Sequence, residues 1–290
     1  MATSEIRNPV QWGVDWFKSA ETAIARTAHA VRPGAAGTEI APLAVRKITM
    51  ADLRDALRRG LDDFGAFRTD VFFVCVVYPL VGLVMTWVAF GHATVQLVFP
   101  LASGFALIGP VAAVGLYEMS RRRERGEEVS WWDALGVLRA PAFGAILVLA
   151  IALLALFFLW MAAATLIYAM TLGPDSPASL TAFARDVLTT PAGWAMIVLG
   201  VGVGFVFALV VLTISVVSFP LLLDRDVGLV TAVATSVRAV LANPREMAAW
   251  GLIVAGALAL GTIPLFLGFI IVMPVLGHAT WHLYRKLVAH

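Results

Sequence analysis

The chain has 290 residues, of which 60% are hydrophobic and only 14% are charged, and its mean hydropathy is +0.88. A soluble domain usually carries about 25% charged residues, so we expect lipid to solvate much of this apolar surface. The net charge is only +2, and the single cysteine, Cys75, excludes an internal disulfide and a cysteine-based metal centre.

The first part of the chain differs from the rest. We predict that residues 1–45 form a cytoplasmic tail and that residues 46–290 form one membrane domain. Apolar residues between Val10 and Val31 fall on one helical face, which indicates a surface helix. A poorly ordered tail explains the same composition equally well, so both interpretations stay open.

Long apolar stretches follow one another through the membrane domain, and their interiors contain no Asp, Glu, Lys or Arg. A helix of about 20 such residues crosses the roughly 30 Å hydrocarbon core. We therefore predict an all-α fold with six transmembrane helices, in which Gly261 and Pro264 mark the break before the last one. The predicted spans cover residues 71–90, 96–119, 143–172, 193–223, 247–261 and 264–284.

The positive charges are distributed very unevenly between the loops. With six spans, 20 of the 21 Lys and Arg residues fall on one side of the membrane, and only Arg185 falls on the other. Because loops rich in Lys and Arg stay in the cytoplasm, this predicts a bacterial inner-membrane protein with both termini cytoplasmic. A five-span alternative with a re-entrant last stretch would move only Arg285 and Lys286 to the other side.

Each predicted pair of spans follows a segment with an amphipathic helical pattern, at residues 49–68, 130–139 and 227–242. In the first segment, Thr49 and Asp52 have the spacing of a capping box. Its apolar stripe comprises Leu53, Leu57, Leu61, Phe64 and Phe67, with Gly60. The other face carries Arg54, Arg58, Arg59, Asp62 and Asp63. We therefore predict three units, each an interfacial helix followed by a transmembrane hairpin.

His278 and His282 form the strongest candidate for cofactor chemistry. Their spacing places both imidazoles on one helix face, where they could share a haem iron or another metal with further ligands. No further ligand accompanies them, so we predict no metal, no cofactor and a hydrogen-bonded pair near the cytoplasmic end. The sequence contains no nucleotide-binding loop, nucleophile elbow or HExxH motif, so we predict no catalytic residue and no enzymatic activity.

Charged residues near the span ends are candidate contacts to the membrane surface or to a partner. They are Arg54, Arg58, Arg59, Arg121, Arg122, Arg123, Asp224, Arg225 and Asp226. The acids among and beside them argue against nucleic-acid binding. Small residues in the spans, above all Gly200, Gly204 and Gly251, are candidates for close helix packing or for contact with a second chain.

Three blocks of the sequence resemble a bacterial family of predicted integral-membrane proteins of unknown function, best known from proteobacteria. The blocks are Ile48 to Phe90, GFALIGPVAAVGLYEMSRRRERGEEVSWWDAL at 104–135, and FPLLLDRDVGLVTAVATSVRAVLANP at 219–244. The resemblance covers about Val45 to Leu287. It implies six spans and no particular activity.

The pattern as a whole favours a scaffold or assembly factor that organises other membrane components through its cytoplasmic helices. The expected partners are the lipid bilayer and other membrane proteins or a second copy of the chain. The alternative is a passive or gated conduit or a lipid-handling protein. That alternative predicts a polar-lined cavity around Tyr78, Tyr168 and Thr213.

Overall fold

The computed structural model describes residues 43–66, 95–264 and 267–289, without the side chains of Val95, Phe105, Trp131, Trp132 and Leu135. These residues form α-helices joined by short connections. Within the described ranges, the pairing of Val45 with Val288 is an isolated antiparallel bridge and no strand is formed. The predicted all-α fold is therefore confirmed for this part of the chain. The first predicted span, with Cys75 and Tyr78, and the tail up to residue 42 lie outside the described residues.

The described helices are numbered here in chain order. They are α1 (50–66), α2 (Val98–Ala112), α3 (Val114–Glu124), α4 (Phe143–Thr171), α5 (Leu180–Thr189), α6 (Pro191–Ser215), α7 (Ser218–Asp224), α8 (Leu229–Ala242), α9 (Pro244–Thr262) and α10 (Phe269–Leu287). Short 3₁₀ helices cover Val95–Leu97 and Trp131–Arg139.

Three helical stretches of the described chain are long and apolar enough to cross a membrane. They are Val98–Glu124, Phe143–Thr171 and Pro191–Asp224, with 27, 29 and 34 residues. At about 1.5 Å per residue they measure roughly 40 to 50 Å, more than the roughly 30 Å hydrocarbon core. They coincide with the second, third and fourth predicted spans. Helices α9 and α10 occupy the fifth and sixth but are shorter and more polar, so six spans are not established by length and composition.

The surface of α6 has the character expected of a lipid-facing helix. The side chains of Val198, Val201 and Phe205 are 68%, 58% and 64% exposed. Within the most apolar 18 residues of Pro191–Asp224, only 6% are buried inside the protein. Such a continuous apolar surface is solvated by lipid acyl chains rather than by water.

The break between the last two helices falls where the sequence predicts it. Helix α9 ends at Thr262 and α10 begins at Phe269, on either side of Pro264. The turn is tight, because a Cβ atom on Gly268 would lie 2.6 Å from the Cα atom of Gly261. Only glycine therefore fits at position 268 without a backbone shift.

The capping signals of the predicted interfacial helices are also present. The backbone N–H of Thr49 donates to Asp52 Oδ2 (2.8 Å) before α1, and the N–H of Ser130 donates to Asp133 Oδ2 (2.8 Å) before Trp131–Arg139. The third segment forms α8, which ends at Ala242 and is followed by Asn243 as its C-cap residue.

The face of α1 that packs inward differs from the predicted stripe in two positions. Leu61, predicted to be part of the apolar stripe, is 54% exposed, whereas Asp63, predicted on the outer face, is 5% exposed. The buried positions Leu53, Ala56, Gly60 and Asp63 recur every three or four residues, which is the period of one helix face. The prediction was wrong because it sorted residues by polarity before it tested their spacing.

The most tightly packed core lies toward one end of the long helices. Its largest fully buried side chains include Phe219 of α7, Trp250 of α9, and Trp281 and Tyr284 of α10. By contrast, many side chains of α4 and α6 are exposed apolar groups. The well-packed end is also where most of the charged residues meet.

Candidate functional site

Ion pairs hold several distant charged segments together at this end of the helices. Lys286 Nζ lies 2.8 Å from Asp55 Oδ2, Arg123 Nη1 lies 2.6 Å from Asp63 Oδ1, and Arg285 Nε lies 3.0 Å from Glu124 Oε1. We call the layer formed by residues 43–66, 118–142, 217–243 and 278–289 the collar. Arg185 lies elsewhere, on α5, which connects the opposite ends of α4 and α6.

The centre of the collar is a buried polar cluster that joins α1, α3 and α10. Ser120 Oγ donates to Asp63 Oδ2 (2.5 Å), and His282 Nε2 lies 2.9 Å from the same oxygen. His278 Nδ1 lies 2.7 Å from Ser120 Oγ. Because the hydroxyl hydrogen of Ser120 is used by the carboxylate, His278 Nδ1 must carry the hydrogen of the second bond.

Asp63 stays ionised in spite of its burial. Burial raises the pKa of this carboxyl, but hydrogen bonds from His282 and Ser120 more than offset that effect and hold the pKa below its usual value of 3.8. The anion then serves as the counter-charge for Arg123, whose Nη1 is 2.6 Å away. Asp63 is the residue through which α1 is fixed to both α3 and α10.

The two histidines therefore lie on one helix face, as their spacing predicts, and they face a carboxylate and a hydroxyl. The imidazole of His278 is fully buried and that of His282 is 11% exposed. No group of three or more His, Cys, Asp or Glu side chains in the described ranges is arranged to hold a metal ion. The arrangement suits a structural polar cluster that orients helices.

A second polar cluster surrounds Glu118 on α3, which is 2% exposed. Its Oε1 atom lies 2.9 Å from Arg121 Nη2 and 2.8 Å from Arg122 Nε. Arg122 Nη1 continues to Asp133 Oδ1 (2.7 Å), and Arg121 Nη1 donates to the carbonyl oxygen of Leu223 (2.7 Å). The basic run therefore bonds α3 to the Trp131–Arg139 helix and to α7, in addition to carrying positive charge at a span end.

A cleft of about 320 Å³ opens beside this second cluster. Its walls are α3, the end of the Trp131–Arg139 helix with the turn after it, and α7 with the residues that follow. The basic residues that line it are Arg121, Arg122, Arg139 and Arg225. The lining carboxylates belong to Glu118, Asp224 and Asp226. Several candidate residues that are far apart in the sequence thus meet at one concave site.

The segment Asp224–Arg225–Asp226 anchors the end of α7 to the C-terminal part of the chain. Tyr284 Oη donates to Asp224 Oδ2 (2.7 Å), and Arg225 Nη2 donates to the carbonyl oxygen of Ala289 (2.8 Å). Asp226 is exposed at the edge of the cleft. The sequence does not indicate these partners, because they lie about 60 residues further along the chain.

The candidate arginines of α1 lie outside both clusters. Arg54 and Arg58 are exposed, and Arg59 pairs with Asp55 (2.9 Å) although its side chain is 60% exposed. An ion pair this exposed contributes little to stability. These three residues remain candidates for contact with the membrane surface or a partner.

The candidate packing glycines have different surroundings. A Cβ atom on Gly204 would lie 3.0 Å from the ring of Trp160, and one on Gly251 would lie 3.4 Å from Leu212. Both positions are therefore at close helix contacts, whereas a Cβ atom on Gly200 would meet nothing within 4 Å. The small residue is required most at Gly204, where a bulky ring occupies the available space.

Tyr168 and Thr213, two of the three polar residues expected to line a central cavity, are described by the structure and do not lie together. Tyr168 Oη donates to the carbonyl oxygen of Asp175 (2.6 Å), at the end of α4 away from the collar. Thr213 bonds back to Leu209 (2.7 Å) near the collar end of α6, about 33 Å along the axis from the start of that helix. Tyr78 lies outside the described residues.

The long apolar helices, their lipid-like exposed surfaces and the charged collar define an integral membrane protein. Residues 98–224 match the family described as "Predicted integral membrane protein (DUF2189)", whose function is unknown. The expected resemblance to a family of integral-membrane proteins of unknown function is thereby confirmed over these residues, and not over the rest of the range Val45 to Leu287. Comparison with curated proteins and with solved structures gives no match.

Proposed function

We propose that the protein is a non-enzymatic scaffold of the bacterial inner membrane that organises or helps to assemble other membrane components through its collar. The observation that carries this proposal is the construction of the collar itself. Buried ion pairs and hydrogen bonds fix four separate chain segments into one layer, in which Asp63 and Glu118 each have several partners.

The outer surface of the collar supports the same role. Leu138 is 61% exposed, and Val230 and Leu241 of α8 are 65% and 71% exposed. These residues belong to the charged layer and not to the lipid-facing middle of the long helices. Apolar side chains on the outside of a rigid polar layer are typical of surfaces that contact a membrane interface or another protein.

Site-specific photo-crosslinking in cells tests the scaffold role. A photoreactive residue at Leu138 or Leu241 should give a discrete protein adduct, either to another membrane protein or to a second copy of the chain. The same residue at Val201, on the exposed face of α6, serves as the control and should give mainly lipid adducts. Lipid adducts alone at all three positions would contradict a scaffold.

We further propose six spans arranged as three hairpins, each preceded by a collar helix, with both termini in the cytoplasm. Residues 43–66, 118–142 and 278–289 contact one another, which supports their lying on the same side of the membrane. The chain would then cross the membrane an even number of times between one of these segments and the next. The surplus of Lys and Arg in them supports the cytoplasmic side. A periplasm-active reporter should be active when inserted near Ser176 and inactive when fused after His290, and the reverse pattern would overturn this topology.

A further inference from the structure

We propose that the cleft between α3, the Trp131–Arg139 helix and α7 binds a phosphate group of an anionic ligand. The cleft has room for a small ligand group, about 320 Å³, and four of its lining residues are arginines. A guanidinium presents paired N–H donors that match two phosphate oxygens, and arginine is therefore over-represented at phosphate sites. The site is independent of the scaffold role proposed above.

The cleft keeps donors that the protein does not use. Arg139 is exposed and forms no ion pair or hydrogen bond with any residue that the structure describes. An exposed guanidinium that has no partner within the protein can turn its paired N–H donors toward two phosphate oxygens.

The acids of the lining are largely occupied elsewhere. Glu118 accepts from Arg121 and Arg122, at 2.9 and 2.8 Å. Asp224 accepts from Tyr284 Oη at 2.7 Å and lies 3.5 Å from Arg285 Nη1. Asp226 is exposed to solvent, which screens its charge. The lining has four arginines against three acids, and Arg139 is the arginine among them that has no described partner.

The cleft lies at the ends of the candidate membrane-crossing helices, where the headgroups of a surrounding bilayer would be. Each of the three candidate membrane-crossing stretches has one end at its wall, near Arg121, near Ala142 and near Leu223. The wall is apolar along Pro141, Ala142, Leu222 and Leu223, toward the helices that lipid surrounds. A phospholipid phosphate and a free phosphate share the chemistry that this cleft recognises, and the lipid also matches the apolar wall.

The experiment uses the full-length protein in a neutral detergent with two ligand arms. In the first arm, native mass spectrometry follows binding of added phosphatidylglycerol. In the second, calorimetry follows binding of inorganic phosphate. The test variant is Arg139→Gln, which removes an exposed side chain without a described partner and should leave thermal unfolding unchanged. The matched control is Arg58→Gln, which removes the same charge from α1, away from the cleft.

We expect saturable phosphatidylglycerol binding that Arg139→Gln weakens roughly tenfold and that Arg58→Gln leaves unchanged, because one charge-assisted contact is lost. The same pattern with inorganic phosphate, but not with the lipid, would retain the phosphate site and assign it to a soluble ligand. Equal effects of the two substitutions, or no saturable binding in either arm, would overturn the proposal. The charge-reversed variant Arg139→Glu should abolish binding if the cleft is the site, and unaltered binding to it would also refute the assignment.

Discussion

His282 Nε2 on α10 lies 2.9 Å from Asp63 Oδ2 on α1, although 219 residues separate them in the sequence. The carboxylate that accepts this bond also accepts from Ser120 and Arg123 on α3. One side chain thus fixes the relative position of three helices.

Replacement of Asp63 by Asn should strongly destabilise the protein. The substitution removes the counter-charge of Arg123, whose side chain is 40% exposed, and weakens the buried hydrogen bonds with Ser120 and His282, at a cost of about 1–3 kcal/mol. Thermal unfolding in detergent should show a markedly lower midpoint. The neighbouring Asp62→Asn is the matched control, because Asp62 is exposed and its loss should change stability by less than about 0.5 kcal/mol. Equal midpoints for the two variants would contradict the role assigned to Asp63.

The stabilisation from Asp63 should depend on pH in a defined direction. Its pKa in the folded protein lies below the usual 3.8, so the folded state holds its proton less tightly than the unfolded state does. The contribution is therefore fully present above the unfolded-state pKa and is lost as the pH falls through the folded-state pKa. The difference in free energy of unfolding between the wild type and Asp63→Asn should stay constant at neutral pH and narrow below pH 3.8. An increase in this free-energy difference on acidification would contradict the predicted direction of the pH dependence.

Gly60 should be intolerant of any side chain. A Cβ atom there would lie 2.7 Å from the backbone nitrogen of Ala279 and from the carbonyl oxygen of Val275, and backbone atoms cannot move aside locally. Gly60→Ala should therefore destabilise the protein by roughly 1–3 kcal/mol, the usual range for overpacking. Thermal unfolding is again the measurement.

Gly65→Ala is the control for that substitution, because it lies on the same helix and its Cβ would meet nothing within 4 Å. It should be neutral or stabilising by up to about 1 kcal/mol through the better helix propensity of alanine. Destabilisation by both changes to the same extent would mean that contact with α10 is not what makes Gly60 necessary.

Asn243 should control the docking of the segment that precedes α1. Its Oδ1 atom accepts from the Ile48 N–H (2.8 Å), and its Nδ2 atom donates to the carbonyl oxygens of Arg46 (3.1 Å) and Ala239 (3.0 Å). Loss of these bonds in Asn243→Ala leaves buried backbone groups without partners, at a cost of about 1–3 kcal/mol.

The expected result is tryptic cleavage after Arg46 and Lys47 that is roughly 5- to 150-fold faster, because proteolysis follows the population of the opened segment. Cleavage at Arg185 on α5, far from Asn243, provides the internal reference and should not change. Acceleration at Arg185 by the same factor would indicate global destabilisation and not release of this segment.

Much of the fold follows from local signals in the sequence. The apolar runs that contain α4 and α6 predict their spans, and Thr49 and Ser130 predict helix starts by capping chemistry alone. Pro264 predicts the break after α9 because a proline disfavours helical backbone geometry in the residue before it. This effect depends only on adjacent residues. The helix Leu180–Thr189 lies between the third and fourth predicted spans, where no helix is predicted from the sequence, although Ser179 accepts from the Ala182 N–H (3.1 Å) as an N-cap. That signal was available in the sequence.

The contacts of the site could not be predicted in the same way. The burial of Asp63 depends on His282, and that of Asn243 depends on Ile48, 195 residues earlier. The four-residue spacing of His278 and His282 predicts that they lie on one helix face. It does not show that Ser120 and Asp63 lie opposite them. The cleft likewise forms only when α3, α7 and the Trp131–Arg139 helix meet, so no single segment encodes it.

The distance along the chain between Asp63 and His282 also sets an order of events during synthesis. At roughly 5–20 residues per second, the ribosome needs on the order of 10 to 40 s to produce the imidazole after the carboxylate. During that interval Asp63 on α1 has been synthesised but His282, its partner on α10, has not. The collar is therefore completed last, and a chain that stops before α10 exposes an unfinished, charged surface to the quality-control machinery of the cell.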